Sequence, residues 1–328
     1  MRILVIGSNS FSGSDLVNHA LNLAHEVLGI SRSPESLAQF RRYGSNENLA
    51  RFRFKQLDIN HLEPEGFEGI RDFEPELVFN YSAQSMVGQS WDYPEHWYQT
   101  NVVALAQLVN YLAALPSLKR YLHFTTPEVY GSTADWIPEG ELMNPSTPYA
   151  VSRAAGDMHL RIMQKEKGFP VVFTRAANVY GAGQQLYRVV PKAFLSAINN
   201  VNFSLQGGGL SRRSFIHISD VSHATMQIAL KGNVGEDYHI STDELVTIRE
   251  LVTQIYEFCG KSLDLSAAEA PDRLGKDAGY FLSSAKIRAE IGWNPKVSLS
   301  EGLEEVFTWV QSNNQTLSRM PWEYEHRK

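Results

Sequence analysis

The chain has a single cysteine, Cys259, in 328 residues, which excludes an intrachain disulfide and a cysteine-based zinc site and suits a reducing cytoplasm. Excess positive charge is also missing. Thirty Lys and Arg stand against 36 Asp and Glu, for a formal net charge of −6. Phosphate backbones are held by an excess of basic residues, so a general nucleic-acid binder is excluded, while small anionic ligands remain open to locally placed arginines. No apolar run approaches the length of a membrane span. The stretch Met1–Gly7 is too short for a signal peptide and turns directly into a glycine loop. Internal repeats, low-complexity tracts and long linkers are absent too. What remains is a chain long enough for one large or two modest domains with a sizeable core, for which a soluble enzyme is the default.

Arg2 to Ile6 is apolar and rich in β-branched residues, and reads as a buried strand. It runs into Gly7-Ser8-Asn9-Ser10-Phe11-Ser12-Gly13 and then the helical pattern Leu16, Val17, Ala20, Leu21. A strand, a glycine turn and a helix amino terminus make a phosphate site, because small residues let the backbone approach and the unpaired amides face the anion. A second strand, Glu26 to Ile30, ends in Ser31-Arg32-Ser33. An acid there accepts the ribose hydroxyls of NAD, whereas Arg and Ser suit a 2′-phosphate, so NADP is expected and NAD is the alternative. Phe52 to Leu57 reads as the third strand, closing on Asp58-Ile59, where a short acid caps a turn or meets the adenine edge. Leu77 to Ala83 reads as the fourth, with Ser82 and Ala83 small enough for a cofactor to lie against the backbone.

Pro94 to Leu115 reads as a long helix with a broad apolar stripe, in which Asn101 is a buried amide that needs partners. After the apolar run Tyr121-Leu122-His123-Phe124 come Thr125, Thr126 and Glu128, expected at the carboxyl end of a strand, where open α/β sheets place ligands. The next helix opens at Pro148. Tyr149 and Arg153 are four apart and share one face, so a fixed cation beside the phenol favours its ionised form. A strand from Pro170 to Arg175 leads to Asn178-Val179-Tyr180-Gly181, and Asp237 to Thr242 reads as a returning strand. Strands alternating with helices predict a parallel, doubly wound sheet, with a smaller substrate-holding domain beginning where the pattern loosens near Gln184. His123, His217 and His239 alternate with apolar residues and read as packing residues rather than catalysts or metal ligands.

Together these motifs resemble the extended short-chain dehydrogenase/reductases, specifically the sugar-nucleotide 4,6-dehydratases, over nearly the whole chain. The motifs are the glycine loop, Thr-Pro-Glu-Val-Tyr-Gly, Pro-Tyr-x-x-Ser-Arg, Arg-x-x-Asn-Val-Tyr-Gly, Arg-Ser-Phe-Ile-His-Ile-x-Asp-Val and a late Asp-Arg-x-Gly-x-Asp. The resemblance implies a Rossmann-type α/β fold with a smaller α/β substrate domain. Residues 1–177 plus about 214–245 would hold the dinucleotide, and 178–213 plus about 246–328 the nucleotide sugar. It implies Tyr149 as the base at the sugar C4 hydroxyl, Thr126 as its positioner, the cation at 153 as the tuner of Tyr149, and Glu128 as the base at C5. Cofactor contacts would come from Gly7, Ser10, Phe11, Gly13, Arg32, Asp58, Ile59, Ser82, Ala83, Tyr149 and Arg153. Gln84, Asn178, Arg213 and Arg273 would hold a nucleoside-diphosphate sugar, with Arg212 a solvated neighbour. A homodimer through the helices beginning near Pro94 and Pro148 is implied as well.

Two residues depart from the family pattern. Lysine usually stands where this chain has Arg153, and arginine keeps the charge but presents a planar fork that is never deprotonated. Dehydratases acting on dTDP-glucose carry aspartate, and those acting on GDP-mannose serine, where this chain has Pro127, which can donate nothing. Either Glu128 then both takes the C5 proton and returns it to the leaving hydroxyl, or elimination does not occur here. The alternatives are an epimerase or 4-keto reductase and, outside enzymes, a dinucleotide-binding sensor.

Overall fold

The computed structural model describes residues 1–62, 64–270 and 279–327. Seven parallel strands form the central sheet: β1 (Arg2–Ile6), β2 (Glu26–Ser31), β3 (Phe52–Gln56), β4 (Leu77–Asn80), β5 (Arg120–Phe124), β6 (Val171–Ala176) and β7 (Asp237–Ile240). Their order is β3-β2-β1-β4-β5-β6-β7, so the direction of winding reverses at β1. This is the doubly wound, Rossmann-type sheet that the alternation predicted. A parallel sheet is covered on both faces, hence the unbroken apolar run of β1. Its residues alternate between two cores, as strand geometry requires. Ile3 and Val5 pack with Leu16, Leu21, Val221 and Ile228 of helices α1 (Phe11–Asn22) and α5 (Ile218–Lys231). Leu4 and Ile6 pack with Leu105, Leu108, Leu160 and Met163 on the other face.

The second face is built by two long helices. The first, α2, runs from Pro94–Tyr98 through a wider π-helical stretch at Gln99–Ala104 into Leu105–Leu112. The second, α3, is Pro148–Lys167. Thr147 caps it, its hydroxyl accepting from the Ala150 amide at 3.1 Å; Pro148 sits at the first position, where no amide is needed; and Gly168 ends it in the left-handed conformation. The fourth strand ends at Asn80, three residues earlier than the sequence implied. The Asn80 carboxamide oxygen accepts from both the amide (3.0 Å) and the hydroxyl (2.6 Å) of Ser82, which turns the chain out of the sheet.

A third core joins Val190 and Phe194 of α4 (Val189–Ile198), Leu251 and Ile255 of α6 (Ile248–Phe258), and Leu303, Val306 and Val310 of α7 (Leu299–Leu317). Ser298 and Glu301 form a capping box that starts α7. Arg42 ties this lobe to the sheet: it bonds Asp15 of α1 at 2.9 Å, Glu305 of α7 at 2.5 Å and the Ala182 carbonyl at 3.0 Å. Glu305 also lies 2.5 Å from His217.

Candidate active site

The carboxyl ends of β1 and β4 abut at the reversal point. A side chain on Gly7 would bring its Cβ within 2.9 Å of the Ser82 amide nitrogen, and one on Gly13 would come within 2.2 Å of the Gly7 carbonyl oxygen. Only a bare backbone fits this cradle. Gly7 also has φ +82°, which a side chain would strain. The Ser10 hydroxyl caps α1 by accepting from the Gly13 amide at 3.0 Å, and Phe11 is buried in the core below. A shaped loop at a helix amino terminus is a ready anion site.

The predicted adenosine end is less uniform. Arg32 is exposed at the end of β2, and the Asn9 carboxamide ties Ser33 and Pro34 to the glycine loop, donating to their carbonyls at 3.1 and 2.8 Å. The Asp58 carboxylate accepts from the Asn60 amide at 2.9 Å, the turn-capping role, and the Ile59 side chain packs in the core. Arg32 and Gln84 meet at the C-terminal segment. The Arg327 carbonyl accepts from the Gln84 side chain at 2.9 Å and from Arg32 at 3.3 Å. His326 stacks on Trp97 and His96 of α2, its ring centroid 5.1 Å from each.

Thr125, Thr126 and Glu128 emerge at the end of β5, as expected. Thr126 caps a short 3₁₀ turn at Pro127–Tyr130, accepting from the Glu128 amide at 3.3 Å. Pro127 occupies the first turn position, which favours proline, so this departure has a local structural reason. Tyr149 is 7% exposed, at the start of α3 beside the turn that carries Thr126 and Glu128. Burial raises its pKa; Arg153 pulls it down, Glu128 pushes it up, and Thr126 and Arg188 pull it down, with a net rise. Arg153 therefore acts in the expected direction, but burial outweighs it in the absence of ligand. Its guanidinium is buried, donates to the Phe124 carbonyl, and keeps an Nε with no partner among the described residues.

Arg188, which the sequence did not mark, is among the charges that act on Tyr149. Asn178 and Arg213 are brought together by Tyr280, another residue the sequence did not mark. The Arg213 guanidinium lies 4.9 Å from the Tyr280 ring centroid, and the Tyr280 hydroxyl donates to Asn178 at 3.3 Å. Arg212 is exposed beside them. Arg273 lies outside the described residues.

Residues 4–306 match the family model described as GDP-mannose 4,6 dehydratase. The chain belongs to that family. Among curated members, the dTDP-glucose 4,6-dehydratase of Streptomyces niveus is 31% identical over 327 residues, covering 95% of this chain and 94% of that one. A dTDP-glucose 4,6-dehydratase of Streptomyces venezuelae, solved with NAD bound, superposes with TM-score 0.83 at 28% identity over 96% of this chain and 98% of that one. The UDP-glucose 4-epimerase of Thermotoga maritima, solved with UDP-glucose, superposes with TM-score 0.85 at 26% identity over 96% and 100%. The family is thus one of nucleotide-sugar dehydratases and epimerases on the short-chain dehydrogenase/reductase fold, as the motifs implied.

In this member the buried amide of α2 joins the two halves of the site. Asn101 accepts from the Gln84 amide at 3.0 Å, donates to the Gln84 carbonyl at 3.0 Å, and donates to the Ser152 hydroxyl at 2.9 Å. Ser152 in turn donates to the Tyr149 carbonyl at 2.7 Å. Asn101→Leu strands both Gln84 backbone groups, at a cost of roughly 2 kcal/mol or more. A thermal or urea melt is expected to show that loss; an unchanged midpoint would remove Asn101 from this role.

Proposed function

We propose that this family member is a nucleotide-sugar 4,6-dehydratase that converts a nucleoside-diphosphate hexose into its 4-keto-6-deoxy derivative. The placement of Thr126 and Glu128 in the turn after β5, packed against the start of α3 where Tyr149 is buried, carries the reading. A nicotinamide dinucleotide fits the glycine cradle, where any Cβ would block the backbone, and the unpartnered Nε of Arg153 offers a donor beside Tyr149. Gly7, Ser10, Phe11, Gly13, Ser82 and Ala83 would hold it. When bound, it supplies the acceptor, and later the donor, for the hydride that moves from C4 to C6 of the hexose.

Tyr149 takes the C4 hydroxyl proton, with Thr126 positioning that hydroxyl. Oxidation at C4 acidifies the C5 hydrogen, and Glu128 removes it. Because Pro127 has no proton to give, Glu128 returns that proton to the C6 hydroxyl, which leaves as water. Asn178, Arg213 and Tyr280 would orient the diphosphate end, arginine being suited to a bidentate grip on phosphate.

Glu128→Gln keeps the shape and removes the base. With a panel of nucleotide sugars, mass spectrometry is expected to show loss of water for the unaltered protein, and no loss of water and no C5 deuterium exchange for the variant. Retained exchange would refute the role of Glu128. Unchanged substrate mass with altered stereochemistry would make the protein an epimerase, and binding without turnover a sensor.

NADP is favoured over NAD by the exposed guanidinium of Arg32 next to Ser33, although the solved Streptomyces venezuelae and Bacillus anthracis relatives carry NAD. Arg32→Ala should weaken NADP by about tenfold or more and leave NAD nearly unchanged, consistent with one charge-assisted phosphate contact. Equal losses for both, read by calorimetry, would count against NADP.

A homodimer through α2 and α3 is supported by Val151, Met158 and Ile162, which are 40, 54 and 62% exposed at helical spacing on α3, and by Val103 at 44% on α2. Light scattering should give twice the 36.9 kDa chain mass. Ile162→Glu should then shift it to the monomer; a monomeric unaltered protein would end the proposal.

A further inference from the structure

Arg153 does not stand alone beneath Tyr149. Its Nη2 faces the Nε2 of His123, a residue of β5, at 3.4 Å. On the far side, the same Nε2 lies 3.5 Å from an oxygen of Asp157, one turn along α3 from Arg153. That carboxylate is fully buried; its other oxygen accepts from the Thr125 hydroxyl at 3.1 Å and from Arg175 of β6 at 2.7 Å. Arg175 continues to Asp237 of β7, and Asp237 to Arg161, whose side chain is 39% exposed. From the reacting tyrosine to the sheet edge the charges therefore alternate: Arg153, Asp157, Arg175, Asp237, Arg161.

We propose that His123 and Asp157 are positioning residues for the chemistry at Tyr149, the imidazole orienting the Arg153 guanidinium and the carboxylate limiting the positive field that reaches the phenol. This rests on the reading of Tyr149 as the base. Two features give it weight. Burial, then Arg153 and Arg175, hold His123 far below the usual histidine range, so the ring is neutral, and in the tautomer protonated at Nδ1 its Nε2 accepts from the guanidinium. Burial raises the pKa of Asp157 on balance, while Arg175 and then Arg153 pull it down; paired with Arg175 at 2.7 Å, its carboxylate screens two cations that would otherwise repel across His123. A planar fork is oriented by an in-plane acceptor, which a lysine ammonium, with three rotatable donors, would need less. The pair thus accounts for arginine at a position where the family usually has lysine.

The groups acting on Tyr149 are Arg153, Glu128, Thr126 and Arg188; those facing Arg153 include His123, Asp157 and Tyr121. Removing the Asp157 charge leaves more positive field at the phenol, so its pKa falls and the rising limb of the turnover profile moves to lower pH. Asp157→Asn is expected to shift that limb down by roughly half a unit or more. His123→Gln, which keeps an acceptor, should retain turnover, whereas His123→Leu should lose about tenfold, the scale of one hydrogen bond to a charged group. If Asp157→Asn does not fold, the His123 pair decides: the tenfold loss should shrink to under about threefold when Arg153→Lys is already present, the non-additivity expected of partners in contact. An unmoved limb in folded Asp157→Asn, equal turnover for His123→Gln and His123→Leu, or an undiminished loss in the lysine background would overturn the proposal. Tyr149→Phe is the control: turnover surviving it would defeat the reading of Tyr149 as the base, whatever the other variants do.

Discussion

The structure depends on one constraint: β1 is hydrogen-bonded to β2 on one side and to β4 on the other, all three parallel. Parallel register puts every carboxyl end at the same edge, and reversal of winding at β1 separates the loops there into a crevice. The glycine loop, Ser82 and the start of α1 are consequences of that arrangement. So is the placement of Thr126 and Tyr149, because β5 is two strands from β1 and its end faces the same way. Arg42 links this sheet's helix layer to the third core with three bonds that reach α1, α7 and the loop after Tyr180.

Much of this was legible in the residues. The start of α3 was readable because Thr147, Pro148 and Gly168 are each chemically suited to one helix position, so three local signals agree. β4 ends three residues before the sequence pattern suggests, because Ser82 and Ala83 continue an apolar-looking run while the side chain of Asn80 holds Ser82 in a turn. The helix through Asn101 was visible as an apolar stripe, and the amide stood out within it. Its partners did not, since Gln84 and Ser152 are 17 and 51 residues away. Tyr280 and Arg188 carried no pattern at all; an aromatic and a cation in irregular segments become site candidates only when the chain brings them to Asn178 and Tyr149.

His123 illustrates a subtler limit. Alternation on a strand identifies it as a buried residue, and buried it is, at 2% exposure. Periodicity gives the face of a strand but not what the face meets, and this one meets Arg153 and Asp157 rather than only apolar side chains. His217 and His239 fit the packing reading more closely, each with a polar partner in Glu305 and Tyr130. Three histidines with the same sequence signature therefore have different surroundings, and only their neighbours separate them.

The two departures from the family pattern bear on one another through charge. With a proline at 127, the half-buried Glu128 is the carboxylate that this turn carries, and its charge raises the pKa of Tyr149. Arg153 acts on the same phenol in the opposite sense, pulling its pKa down. Its guanidinium is held in place by the Phe124 carbonyl at the end of β5. Arginine, which never releases its proton, supplies this field at every pH at which the fold persists. Proline shapes the turn that carries Glu128, and arginine pulls on the phenol against that carboxylate, so the two departures meet at one tyrosine.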